Sequence, residues 1–167
     1  MTMLSNIAIG LVLILVVIAI AFVTYGRENT WTLVAGPPDM GIYDFTAMPR
    51  SSTANDVLAC TEGLCDGKAD FVLPALDATP GEAISRLDST LEGAPRVRRV
   101  DDGSDPDYAR YVTWSPTMRF PDTTDIRAVA LEGGKSGLKV YARALVGQRD
   151  FDANTARIRE WIAKISP

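Results

Sequence analysis

The chain has no histidine. That absence removes the commonest general base, the commonest metal ligand and every Ser-His-Asp or Cys-His arrangement for nucleophilic catalysis. Cysteine is scarce as well. Cys60 and Cys65 are the only two, too few to complete a tetrahedral zinc site without imidazole help. Basic residues are outnumbered: 17 Lys and Arg against 21 Asp and Glu leave a net charge of −4. Phosphate backbones and anionic headgroups need clustered Lys and Arg, so nucleic acid and peripheral lipid docking are poor partners. From these absences we expect no catalytic residue, no cofactor, no metal and no nucleic-acid partner: a protein that is not an enzyme.

Charge is missing altogether from residues 7–23, which also lack Asn, Gln and Pro. A helix over residues 4–25 would be about 33 Å long, enough to cross a bilayer core. A secretory signal resembles such a run. Ala19-Ile20-Ala21 mimics its cleavage site, but residues 1–6 carry no Lys or Arg and the apolar core is long. We expect an uncleaved single-pass anchor in contact with lipid through residues 4–25. Small residues Ala8, Gly10, Ala19 and Ala21 would let it approach other helices closely. Arg27, just after the span, favours a cytoplasmic domain by the positive-inside rule. The pair Cys60 and Cys65 around Gly63 favours the exported side, as a small-loop disulfide needs an oxidising compartment. Two unbonded thiols are the alternative. We expect a bacterial inner-membrane protein with a periplasmic domain.

Beyond the anchor (1–26) we read a connector (27–54) and a globular domain (55–167). Pro37, Pro38, Pro49, Gly36 and Gly41 set the connector against regular structure. It is too aromatic for a plain flexible linker. Its apolar residues either fold back onto the domain or sit at the lipid interface, where Trp and Tyr are common, or else lie against a membrane-embedded partner. On the partner reading Trp31, Met40, Tyr43, Phe45 and Met48 are the candidate partner contacts, with Ala8, Gly10 and Ala19 in the anchor.

In the domain, residues 70–73 suggest a short strand. Thr79-Pro80-Gly81-Glu82 combines a cap, a first-turn Pro and a capping box, and Ile84, Leu87 and Leu91 share one face of the helix that follows. Residues 97–100 and 108–114 read as strands around the acidic turn 101–107, which lacks EF-hand spacing. Residues 125–132 and 137–146 form a β-hairpin across Gly133-Gly134-Lys135-Ser136. Gly134-Lys135-Ser136 ends like a phosphate-binding loop, yet Val129 stands where that motif needs Gly, and a strand follows instead of a helix. We reject a nucleotide site. Asp150 or Asp152 caps a last helix, 152–164, whose stripe is Ile158, Trp161, Ile162 and Ile165. The expected fold is α+β: an antiparallel sheet of four or five strands with one face packed on two helices.

Three stretches carry a resemblance. They are Met118-Arg119-Phe120-Pro121-Asp122, then Arg143 within Tyr141-Ala142-Arg143-Ala144-Leu145, then the run from Val146 and Gly147 through Asp150 and Asn154 to Arg157. With the Asn-containing opening 55–60, this pattern resembles the domain of unknown function 1499, membrane-anchored bacterial and chloroplast proteins of unknown activity. The family's Arg- and Ser-rich strand survives here only as Arg143, and Asp152 replaces a usual Gly. Gly147, Asp150, Asn154 and Arg157 also have structural explanations as a turn, a cap and helix ties. Two functions are open. One is a non-enzymatic accessory or assembly subunit on an integral-membrane complex, respiratory or photosynthetic. The other is a periplasmic small-molecule-binding module or enzyme with a pocket between the sheet and the last helix, using Arg119, Asp122, Arg143, Asp150 and Arg157. A pocket with convergent polar groups would favour the second, an exposed apolar patch the first.

Overall fold

A computed structural model describes residues 2–166, in two compact units that part between Pro37 and Pro38. The first unit holds α1 (Thr2–Tyr25) and α2 (Arg27–Ala35). Met3–Tyr25 is long and apolar enough to cross a membrane or to act as a signal sequence, and none of it is buried. Ala8 and Ala19 are exposed and an added Cβ on Gly10 would meet nothing. Residues 27–35 were expected to be irregular; they are helical. The breakers lie beyond them: Gly36, at φ +96°, ends α2 before the two prolines. Trp31 packs edge-to-face on Phe22, ring centroids 5.8 Å apart.

The second unit is built on a sheet of β1 (Asp56–Thr61), β2 (Phe71–Leu73), β3 (Val97–Arg99), β4 (Tyr108–Trp114), β5 (Pro121–Ala130) and β6 (Ser136–Ala144), in the order β2-β1-β6-β5-β4-β3. The α+β class is as expected, but the sheet has six strands and is mixed, since β1 and β2 run parallel. β1 escaped the sequence reading because five of its six residues are buried, which erases the polar–apolar alternation of a half-exposed strand. β5 begins at Pro121, a first-residue position where a missing N–H is tolerated. The β5–β6 turn contains Gly133 and Gly134 at φ +72° and +73°, and Ser136 enters a strand, as the rejection of a nucleotide loop required.

Helices α3 (Pro80–Leu91) and α4 (Ala153–Ile165) cover one face. The Glu82 carboxylate accepts from both the N–H and the hydroxyl of Thr79, at 2.8 and 2.9 Å, closing the start of α3. Ile84, Leu87, Ile158, Trp161 and Ile162 pack there on Ala59, Tyr111, Ile126, Leu138 and Val140. The sheet contributes small residues (Ala109, Ala128, Ala142) that let the helices come close.

The opposite face is covered too, which corrects the one-sided packing expected. All seven residues of β4 are buried. The cover is a strap of residues 38–50. Thr123 Oγ1 donates to the Pro38 carbonyl (2.8 Å) and accepts from Met40 N (3.1 Å), while Asp39 pairs with Arg110 at 2.8 and 3.0 Å. Tyr43 and Met48 close a second core with Leu58, Cys60, Cys65 and Tyr141. The Tyr43 and Tyr141 rings stack with centroids 3.7 Å apart. Cys60 and Cys65 are bonded, Cα atoms 6.1 Å apart, at the end of β1. Residues 38–54 therefore belong to the domain. Tyr43 and Met48 are buried in it and drop out of the candidate partner contacts; Met40 stays exposed, and Phe45 and Trp31 are half-buried.

Candidate functional site

The β4–β5 turn closes tightly, with Ser115 N donating to the Phe120 carbonyl (3.0 Å) and Phe120 N to Ser115 Oγ (2.9 Å). Met118, Arg119 and Phe120 form this turn; Arg119 adopts φ +60° and its guanidinium lies 5.8 Å from the centroid of a Trp114 ring. The closure sets the register that follows: Asp122 lies opposite Thr113 on β4 and Ala144 on β6, so the Asp122 and Thr113 side chains share the helix-covered face.

On the other side of the site, the chain leaves β6, turns at Gly147 (φ +99°) and reaches the cap of α4. Asn55 Nδ2 holds the turn by donating to Gly147 O at 3.0 Å. Asp150, not Asp152, is the capping side chain: its carboxylate accepts Asn154 N at 3.0 Å and Asp152 N at 3.2 Å. This start orients α4 so that Asn154 and Arg157, three residues apart, lie together. The Arg157 guanidinium donates to Asp122 Oδ2 at 2.7 Å, to Thr113 Oγ1 and to Asn154 Oδ1.

Both members of the ion pair are largely removed from water, their side chains 16% and 15% exposed. Burial lifts the Asp122 carboxyl to about 6, with Arg157 pulling it down and Asp150 adding to the rise. Burial also lowers the Arg157 guanidinium from its ordinary value, against the pull of Asp122 and Asp150. Arg157 Nε and Asn154 Nδ2 are buried with no hydrogen-bond partner.

A cleft of about 420 Å³ opens beside this pair, between the end of α3, the β3–β4 edge and α4. Leu91, Pro95 and Trp161 give it apolar walls, Arg96 adds positive charge to its lining, and Lys164 is paired there with Glu160 at 2.6 Å. Apolar walls with a few convergent polar groups are the usual character of a small-molecule site. A depression of equal volume on the other side of α3 contains Asp88, Arg99 and Tyr111. Those groups satisfy one another: Asp88 accepts from Tyr111 and Arg99, and Arg99 also pairs with Asp101 at 2.8 Å. The Asp122–Arg157 cleft, unlike that depression, is lined by a residue with an orphaned buried donor, Arg157.

The structure thus gathers Asp122, Asp150, Asn154 and Arg157 from the motif residues. It does not bring Arg143 to them. Arg143 lies on the strap-covered face, where its Nη2 donates to Gly41 O (2.7 Å) and Met40 O (3.1 Å) and stands 3.9 Å from Asp125 Oδ2. Asp125, fully buried, accepts from Tyr108 Oη (2.5 Å) and Tyr43 N (3.0 Å), and burial raises its carboxyl above the usual range. Sequence reasoning missed Thr113, Asp125 and the lining residues Arg96, Trp161 and Lys164 as site residues. Thr113 was detectable in principle, as a polar residue on the face of β4 shared by Ala109 and Tyr111. Among the described residues, no group of three or more Cys, Asp or Glu side chains comes together as metal ligands do.

Searches of curated proteins and of solved structures return no match. A family model described as a protein of unknown function matches residues 46–165, a span that takes in part of the strap, the whole sheet, the disulfide and the Asp122–Arg157 site. By that match the chain belongs to the DUF1499 family.

Proposed function

We propose that this protein is a membrane-anchored, non-enzymatic binding module whose cleft at Asp122 and Arg157 takes a small amphipathic molecule bearing an acidic or other oxygen-acceptor group. The observation that carries the reading is the orphaned buried donor Arg157 Nε, on a residue that lines the cleft. A buried donor without an acceptor is costly, and a ligand oxygen would relieve that cost. Apolar walls at Leu91 and Trp161 suit the ligand's body, and Arg96 suits its charge. The absence of histidine supports binding over catalysis. The α1 helix supports retention in the bacterial inner membrane, and the Cys60–Cys65 bond supports a periplasmic domain.

Hexanoate, a short amphipathic carboxylate, is a suitable first probe for the full chain in mild detergent, because Trp161 reports on the cleft by fluorescence. Saturable quenching that disappears in Arg157→Gln is the expected result. No response in a folded wild-type protein would sink the reading.

The second reading, an accessory or assembly subunit on an integral-membrane complex, is favoured by the exposed Leu33 and Val34 of α2 and by exposed Ile42 in the strap. Gentle extraction through a C-terminal tag would recover one membrane complex at near-equal stoichiometry if that reading holds, and the protein alone if it does not.

A further inference from the structure

The strap-covered face has a cleft of its own. It measures about 320 Å³, and Met40, Tyr43, Arg50, Tyr141, Arg143 and Leu145 are among its walls. The charged groups in that lining are both guanidiniums. Arg50 is committed to Asp56 (2.9 Å) and Asp70 (2.8 Å). Arg143 is not committed in the same way. Its nearest carboxylate oxygen, Asp125 Oδ2, is 3.9 Å away, beyond hydrogen-bond reach, and its Nε is buried without an acceptor. The Tyr43 hydroxyl, on a residue only 3% exposed, also lacks a partner. Two orphaned donors therefore belong to residues lining one cavity.

We propose that this cleft is a second ligand site, separate from the Asp122–Arg157 site, that accepts a small oxyanion (a carboxylate or a phosphate) through Arg143 Nε and Tyr43 Oη. The site is held in place from several sides. Tyr43 stacks on Tyr141, and its N–H is fixed on Asp125 Oδ1. Arg143 is set on β6 opposite Asp56 and Thr123, and its Nη2 is anchored on two strap carbonyls. Burial pushes the Tyr43 phenol up to about 12, so it stays a donor at neutral pH. The acceptor oxygens of an oxyanion would satisfy these orphans, and charge assistance from Arg143 favours an anionic acceptor over a neutral one.

Calorimetric titration of the full chain in mild detergent, with acetate and with inorganic phosphate in separate runs, tests the site. One of the two binds saturably with Kd of about 1 mM or tighter, and the one that binds identifies the carboxylate or the phosphate source. Tyr43→Phe keeps the stacked ring and weakens that binding about tenfold, the size of one lost charge-assisted hydrogen bond. Arg143→Gln abolishes it in an Arg157→Gln background, where an anion held at the Asp122–Arg157 cleft no longer contributes. If Arg143→Gln does not fold, Tyr43→Phe decides, its fold checked by thermal melting. The site is overturned if neither probe binds the Arg157→Gln protein, or if Tyr43→Phe binds as the wild type does.

Discussion

Asp122 and Arg157, 35 residues apart, meet at 2.7 Å between β5 and α4. Their meeting joins the last helix to the middle of the sheet and places a largely buried ion pair beside a cleft. Each element on either side, the β4–β5 turn and the Asp150 cap, is local; the pair itself is a product of register.

The first prediction is a pH signature at this pair. Asp122 titrates near 6 when folded, against an ordinary value of 3.8. A raised carboxyl pKa means that the folded state holds the proton more tightly, so Asp122 costs stability as pH rises from about 4 to about 6. The full effect is about 3 kcal/mol at most, by 1.36 kcal/mol per pKa unit. Asp122→Asn does not titrate. Urea unfolding should therefore show the wild type losing about 2–3 kcal/mol relative to Asp122→Asn between pH 4 and pH 7. A difference of the opposite slope would contradict the assigned shift.

Asp56 shows the reverse behaviour. Its side chain is 5% exposed; burial raises its carboxyl, but the Arg50 guanidinium, Ser51 N–H and Tyr141 hydroxyl outweigh that and hold it below the ordinary value. A lowered carboxyl pKa gives stability that is present above about pH 4 and lost as pH falls through the folded value. Asp56→Asn should cost about 2 kcal/mol at pH 7, and the cost should shrink on acidification. Denaturant midpoints of both proteins from pH 7 down to pH 2.5 check this.

Leu87, 1% exposed, is the centre of the α3 contact with the sheet. Leu87→Ala should cost about 2–5 kcal/mol through lost burial and a residual cavity. Ile42→Ala, at a residue 75% exposed, should change stability by less than about 0.5 kcal/mol. Thermal and urea melts of the two variants give the comparison.

The Cys60–Cys65 bond closes a loop across a sequence separation of 5, with both residues in the strap-side core. Replacing both by Ser should cost about 2 kcal/mol from loop-closure entropy in such a short loop. Thiol labelling of the protein taken directly from cells, under denaturing conditions, should find neither cysteine reactive until a reductant is added. Two reactive thiols there would remove the support for an exported domain.

Much of the local architecture is legible in the sequence. Helix α1 follows from an apolar run with no charge, α3 from a capping box and an apolar face, and α4 from the stripe Ile158, Trp161, Ile162 and Ile165. The β5–β6 hairpin follows from its glycines. These are signals carried within one turn of helix or one alternation of strand, so neighbouring residues suffice to read them.

Tertiary structure alone decided the rest. β1 has no visible alternation because strap and helices bury both its faces. Tyr43 and Met48 read equally as partner contacts or as core until their stack on the sheet is seen. The motif's polar residues were expected in one pocket, yet Asp122 and Arg143 belong to opposite faces. β5 and β6 pair Asp122 with Ala144 and Thr123 with Arg143. In a pleated strand a single residue of register reverses the face of every side chain, so sequence could name these residues and only the pairing could sort them.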